Sequence, residues 1–294
     1  MPKRSEFVLT LSCRDTKGIV HAVSGLLFQA GCNILDSQQF GDVLSDDATG
    51  LFFLRVHFEA PEHLADATKL DPLFTHLRQQ FGMDARLYSL ARRPRIVLMV
   101  SKHGHCLNDL LFRWRSRQLA VDIPAIVSNH PDFADLASDY DIPFHHLPLA
   151  VGSGAEAKRE QERQIEALVE REKVDLVVLA RYMQILSPEF CEFLKGRAIN
   201  IHHSFLPSFK GAKPYYQAHE RGVKLIGATA HYVTAELDEG PIIEQDVERV
   251  DHAHSPEDFT AVGRDVECVV LARAVRWHVE HRVLLNGRKT VVFN

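Results

Sequence analysis

Paired cysteines are missing from this chain: Cys13, Cys32, Cys106, Cys191 and Cys268 are scattered through 294 residues, and no C-x-x-C occurs. That spacing argues against a disulfide framework and a paired-thiolate metal site, and it fits a reducing, cytoplasmic setting. Long apolar runs are also absent. The longest, such as "IVLMV", are strand-sized, well short of the roughly 18 residues expected of a membrane span. The opening "MPKRSEFVLTLSCRD" has no extended apolar core behind its basic residues, so a secretory signal is not expected. No charge of one sign dominates: 39 acidic and 34 basic residues leave a net charge of -5. This balance gives no electrostatic reason to expect nucleic acid or a membrane surface as a partner. Two local basic clusters, "ARRPR" (91–95) and "RWRSR" (113–117), read as a linker and a solvated helix face. Sequence repeats, low-complexity tracts and long flexible linkers are lacking too.

Histidine, in contrast, is plentiful at 17 residues, and hydrophobic residues make up 46% of the chain, enough for one large domain or two modest ones. The first ninety residues read as a compact α/β unit. "FVLTLSC" alternates as a strand, "RDTKG" turns, and Ile19, Val23, Leu26 and Leu27 repeat at helical spacing. "GCNILDSQQFGD" and "LFFLRVHF" give two strands around a polar loop. "LDPLFTHLRQQFG" gives a second helix with Leu73, Leu77 and Phe81 as its stripe, and "MDARLYSL" closes the unit. The order β-α-β-β-α-β predicts a ferredoxin-like unit, two helices on one side of an antiparallel sheet, over 1–90.

After a short linker, 91–94, the pattern changes. "IVLMVS" and "VDLVVLA" are continuous apolar runs, as expected of strands covered on both faces, and helical segments separate them. The helix over 156–172 carries Ile165, Leu168 and Val169 as its buried stripe. The region 95–294 is therefore expected to be a doubly wound, mostly parallel sheet with helices on both faces. Such a sheet binds ligands beyond the carboxyl ends of its strands. Residues 101–106, 181–185 and 200–203 all emerge there.

At the third of these ends stands "AINIHHSFLPSFKGAKPYYQAH". Asn200 and His202 are two apart in an extended segment and so face the same way. Asp238 lies in "ELDEGPII", a turn before an apolar strand. An amide donor, an imidazole and a returning carboxylate are the ingredients of acyl transfer through a tetrahedral oxyanion. The same three residues also suit a strand cap, an interior histidine and a turn former. Spacing alone leaves both readings open.

The motifs add a resemblance. Asn200-Ile201-His202, then Ser204-Phe205-Leu206-Pro207 and Gly211, with Asp238-Glu239-Gly240 downstream, resemble the folate-dependent formyltransferase family. "LARYMQIL" and "IGATAHYVTAELDEGPIIEQ" resemble it too, so the match runs from Arg95 to about Asn286. The resemblance implies Asn200, His202 and Asp238 as catalytic residues. Met183, Gln184, Ile185 and Leu186 would line a folate pocket, with His203 and Gly211 beside the substrate and Lys213 in the same loop. Many relatives carry arginine at Gln184 and proline at His203.

The first unit resembles an ACT domain, through Asp15-Thr16-Lys17-Gly18-Ile19 and Gly31-Cys32-Asn33-Ile34. From that resemblance follow an amino-acid site at Asp15, Gly18, Ile19, Asn33 and Ile34, with glycine or methionine as effector. A homo-oligomer, tetrameric in such arrangements, follows as well. The combination of the two units resembles the members of the family that hydrolyse 10-formyltetrahydrofolate to formate and tetrahydrofolate. In that reading Asp238 holds the water and acts as base, directly or through His202, while His202 and Asn200 stabilise the oxyanion. No tightly bound cofactor is implied.

Four rivals are carried alongside. A transferase acting on glycinamide ribonucleotide needs a glycine-rich phosphate loop, but "SKHGHCLNDLL" keeps only Gly104 between His103 and His105. The same loop lacks G-x-G-x-x-G, which disfavours a dinucleotide. A metal reading rests on His103, His105 and Cys106, on His202 and His203, and on His252 and His254, yet none of these closes a four-ligand set. A non-enzymatic amino-acid-sensing scaffold would not require Asn200, His202 and Asp238.

Overall fold

The computed structural model describes residues 5–149, 152–206 and 214–294. These divide into two compact units, one made of 5–93 with 280–294 and the other of the described residues between 94 and 279.

In the first unit the elements are β1 (Ser5–Arg14), α1 (Ile19–Gln29), β2 (Asn33–Asp42), β3 (Leu51–Ala60), α2 (Ala67–Leu70), α3 (Thr75–Phe81) and β4 (Asp84–Ser89). The sheet order is β2-β3-β1-β4, and β1 pairs antiparallel with both β3 and β4. This is the β-α-β-β-α-β arrangement expected from the hydrophobic periodicity. Gly18, at φ 96, starts α1 in a backbone conformation that suits glycine, and Ile19, Val23 and Leu27 are buried. The second helical segment differs from expectation. It is broken into α2, a 3₁₀ turn over Asp71–Phe74, and α3. Pro72 has no N–H to continue a helix, so the chain re-phases there. Leu70, Phe74 and Leu77 then face the core, while Leu73 is exposed.

The C-terminal segment was expected within the second unit, but it groups with the first. Its hairpin, β12 (Val283–Asn286) and β13 (Lys289–Val292), follows residues whose carbonyls are captured by Arg55. That guanidinium donates from Nε to the His281 carbonyl and from Nη2 to the Glu280 carbonyl, each at 3.1 Å. Asn286 donates to Asp42 at 2.8 Å and accepts from Thr49 at 2.8 Å. Polar contacts across more than 200 residues of sequence leave no periodic trace.

The second unit contains β5 (Arg95–Val100), α4 (His105–Arg115), β6 (Asp122–Ser128), α5 (Ala134–Asp139), β7 (Phe144–His146), α6 (Ala155–Arg171) and β8 (Leu176–Leu179). It continues with α7 (Pro188–Phe193), β9 (Ala198–His202), α8 (Pro214–Glu220), β10 (Leu225–Tyr232), β11 (Ile242–Arg249) and α9 (Pro256–Val279). The sheet order is β11-β10-β9-β8-β5-β6-β7. Strands β7, β6, β5, β8 and β9 are parallel, and β10 and β11 add antiparallel at one edge. Ile96 to Val100 and Leu176 to Val178 are all 0% exposed, which accounts for their unbroken apolar runs. The order reverses between β5 and β8, so the crevice at their carboxyl ends is where this fold accepts a ligand.

Candidate active site

A cavity of about 260 Å³ opens at that crevice. Arg181, Met183, Gln184, Ile185, Leu186, Asn200, His202, His203, His231 and Asp238 are among its lining residues. Asn200 and His202 come from β9 and share one face, as their spacing requires. Asp238 returns from the turn between β10 and β11. Its Oδ2 lies 3.2 Å from His202 Nδ1. The three residues singled out in the sequence therefore meet around one space.

Local backbone explains the return of Asp238. The residue itself sits at φ 59, and the chain closes with the Tyr232 N–H donating to the Pro241 carbonyl at 2.9 Å. Gly240 passes so near the Tyr232 carbonyl that any Cβ there would overlap it. The glycine of the Asp-x-Gly motif is thus a close-approach residue, and the carboxylate two positions earlier depends on it.

His231 is a site residue that motif spacing did not single out. It is the register partner of Asn200 across β9 and β10, next to a bulge between Ala230 and His231. Bulges re-aim side chains. Here His231 Nδ1 donates to the Tyr232 carbonyl at 2.9 Å, and Nε2 stands 3.3 Å from the Asn200 amide nitrogen and 3.7 Å from Asp238 Oδ1. Only its place in "ATAHYV", beside the Asp238 segment, hinted at this role.

The electrostatics follow from these contacts. Burial by itself would raise the Asp238 carboxyl, but hydrogen bonds and charge from His202 and His231 bring it well below the usual carboxylate range. A carboxylate with both oxygens turned toward imidazoles is a poor proton acceptor from water and a good anchor for a neighbouring imidazole. The His202 Nε2 atom is buried and has no hydrogen-bond partner among the described residues. His203, whose ring centroid is 5.1 Å from that of His202, is pushed down to about 4 by burial and then by the Arg181 charge. It is neutral at physiological pH.

The loop from Arg181 to Ser187 forms another wall. At one end the Met183 N–H donates to Ser101 Oγ at 2.9 Å, and Ser101 Oγ–H donates to Asn129 at 2.6 Å. At the other, Glu162, 2% exposed, accepts from the Ser187 N–H at 2.8 Å and from its hydroxyl at 2.5 Å. Met183 and Ile185 are exposed by 54% and 66%, so they are wall rather than core.

Where a phosphate loop would open, side chains crowd instead. A Cβ on Gly104 would run into the Phe133 ring. His105 Nε2–H donates to Glu267 Oε2 at 2.8 Å, and the Tyr215 hydroxyl donates to Glu267 Oε1 at 2.6 Å. Burial would raise Glu267, but His105, Arg181 and Tyr215 hold it below its ordinary value. His105, Cys106 and Glu267 could geometrically approach one cation. Glu267 is already committed to two hydrogen bonds beside the Arg181 charge, which disfavours a metal there.

Gly211, Lys213 and Pro207 lie outside the described residues. Of the residues named for an effector, Ile19 is 2% exposed and its side chain belongs to the core, unavailable to a ligand. Asp15, Gly18 and Asn33 are exposed, and Ile34 is 37% exposed on β2.

The "Formyl transferase" family model matches residues 94–275, the mostly parallel sheet with this crevice, so the class of protein is that of the formyl transferases. The chain is 48% identical over 295 residues to the formyltetrahydrofolate deformylase of Corynebacterium sp. (strain P-1), covering 99% of each. It is 46% identical to that of Bacillus subtilis (strain 168), covering 97% of this chain and 93% of the relative. The crystal structure of the Burkholderia mallei ATCC 23344 deformylase superposes with a TM-score of 0.91 at 53% identity, over 99% of this chain and 100% of that one. Glycinamide ribonucleotide transformylase 1 from Symbiobacterium toebii matches with a TM-score of 0.65 at 29% identity, over 71% of this chain and 98% of its own. The chain belongs to the formyltetrahydrofolate deformylase family.

Proposed function

We infer that the chain hydrolyses 10-formyltetrahydrofolate to formate and tetrahydrofolate. The observation that carries this reading is the meeting of Asn200, His202 and Asp238 in one cavity, within a chain that matches deformylases over nearly its whole length. The formyl oxygen points toward the Asn200 amide. Water attacks the formyl carbon, and His202 Nε2 takes its proton as the C–O bond forms. Asp238 stands behind Nδ1 and stabilises the imidazolium. That imidazolium flanks the oxyanion and returns the proton to N10 as the C–N bond breaks. Asp238 therefore acts through His202, as an orienting carboxylate. Neutral His203 accepts a hydrogen bond from the water and helps to seat it. Met183 to Leu186 hold the pterin, and no cofactor beyond the folate substrate enters the steps.

The crowded loop at Gly104 supports hydrolysis over transfer. Phe133, His105, Glu267 and Tyr215 take up the side on which a ribose phosphate would need exposed N–H groups, whereas water needs no cradle. Incubation with 10-formyltetrahydrofolate, with and without glycinamide ribonucleotide, tests the choice. Formate release unchanged by the nucleotide is expected. Formylated nucleotide as the main product would reverse the assignment.

We also propose that residues 1–90 act as an ACT-like regulatory unit, supported by the strand order β2-β3-β1-β4 and the Gly18 turn. Glycine or methionine would bind near Asp15 and Asn33, and the protein would be a cytoplasmic homo-oligomer, tetrameric by the same analogy, with neither nucleic acid nor membrane as partner. Among the described residues no helix is long and apolar enough to cross a membrane. Sedimentation and formate release with each amino acid test the effector; identical mass and rate throughout would remove it.

A further inference from the structure

The cavity holds a cation that the hydrolytic steps leave unused. Arg181 ends the run after β8 with φ 66, a left-handed conformation that is uncommon for a residue with a side chain. Its backbone is pinned there, because the Ser101 N–H donates to the Arg181 carbonyl at 3.1 Å. Arg181 is 9% exposed, and it lines the cavity together with Asn200, His202 and Asp238. Glu267 Oε2 lies 3.4 Å from its Nε, but the oxygens of Glu267 already accept from His105 and Tyr215. Nε and Nη1 are buried without a hydrogen-bond partner among the described residues, and so is His202 Nε2 in the same cavity.

The carboxylate beside the guanidinium, Glu267, is thus shared among three donors, and a buried cation whose counter-charge is divided in this way favours a further small anion such as a carboxylate. The chemistry indicates which anion. Formyl transfer to an amine yields a neutral amide, whereas hydrolysis yields an ion. Water's oxygen bonds to the formyl carbon, the C–N10 bond breaks with its electron pair going to nitrogen, N10 takes one water proton, and the second is released as formic acid ionises. The carboxylate so formed has one oxygen from the formyl group and one from water. Arg181 also reaches the reacting side electrostatically, since its charge acts on His203.

We propose that Arg181 is the receptor for the product formate, pairing with the carboxylate as it forms; this rests on the hydrolytic reading above. The test is direct binding of sodium formate to folate-free protein at neutral pH, by saturation-transfer NMR, together with formate's product-inhibition constant. Wild type should bind formate at least about tenfold more tightly than formamide, its uncharged isostere. Arg181→Met should weaken formate binding by at least about tenfold, with Arg181→Lys between, each checked for an unchanged melting profile. Equal affinity for formate and formamide in wild type would overturn the proposal, and that comparison needs no folded variant. Formate binding undiminished in a folded Arg181→Met would overturn it too. A wild type that releases no formate from 10-formyltetrahydrofolate would instead refute the hydrolytic reading itself.

Discussion

In the proposed mechanism Asn200 separates binding from catalysis by one amide hydrogen. Its nitrogen lies 3.3 Å from His231, leaving a second N–H for the oxyanion. Losing one such donor costs about 3 kcal/mol of transition-state energy, roughly a hundredfold in rate. Asn200→Ala is therefore expected to lower kcat by about a hundredfold while leaving KM for the folate within about twofold, as steady-state kinetics would show. Asp238→Asn keeps the shape and removes the charge that anchors His202. Its kcat should fall by at least about a hundredfold, with the protein still folded by circular dichroism. Retention of near-normal turnover would mean that His202 works without a carboxylate behind it.

At the scale of elements, a turn and a loop determine whether these residues meet. The turn carrying Asp238 closes only because Gly240 can graze the Tyr232 carbonyl. Gly240→Ala should lower the melting temperature by several degrees and depress kcat, because the backbone must open and carry Asp238 away from His202. An alanine variant with normal kcat and normal melting would show the close approach to be unimportant. The loop over 181–187, proposed to hold the folate, is tied at its far end by Glu162, whose carboxylate accepts twice from Ser187. Glu162→Gln presents an N–H where an acceptor is needed, at a cost of about 1–3 kcal/mol locally. KM for the folate should rise several-fold with kcat less affected, measurable in the same formate-release assay.

For the whole molecule, the sheet order makes a single crevice from the ends of β5, β8 and β9, and burial of that crevice couples stability to pH. His203 titrates near 4 in the folded protein and near 6.5 when unfolded, so between these values the unfolded chain binds the extra proton. Its contribution is complete above pH 6.5 and is lost as pH falls toward 4, with a slope of at most about 1.4 kcal/mol per pH unit. Chemical denaturation of wild type and His203→Asn across this range should give the shallower acid slope for the variant. Parallel slopes would show that His203 does not carry the coupling.

The sequence by itself determined what depends on local periodicity and motif. The buried parallel strands, the α6 stripe of Ile165, Leu168 and Val169, and the Asn-x-His and Asp-x-Gly pairs were all legible, because each is written within a few consecutive residues. Tertiary structure alone decided which strands lie side by side. Through that choice His231 faces Asn200 across a register pair, Glu267 gathers His105, Tyr215 and Arg181 from separate elements, and the C-terminal hairpin joins the first unit through Arg55. These contacts span 31 to more than 200 residues of chain. The free energy that selects them is burial and hydrogen bonding between elements, and it leaves no pattern in the neighbours of any one residue.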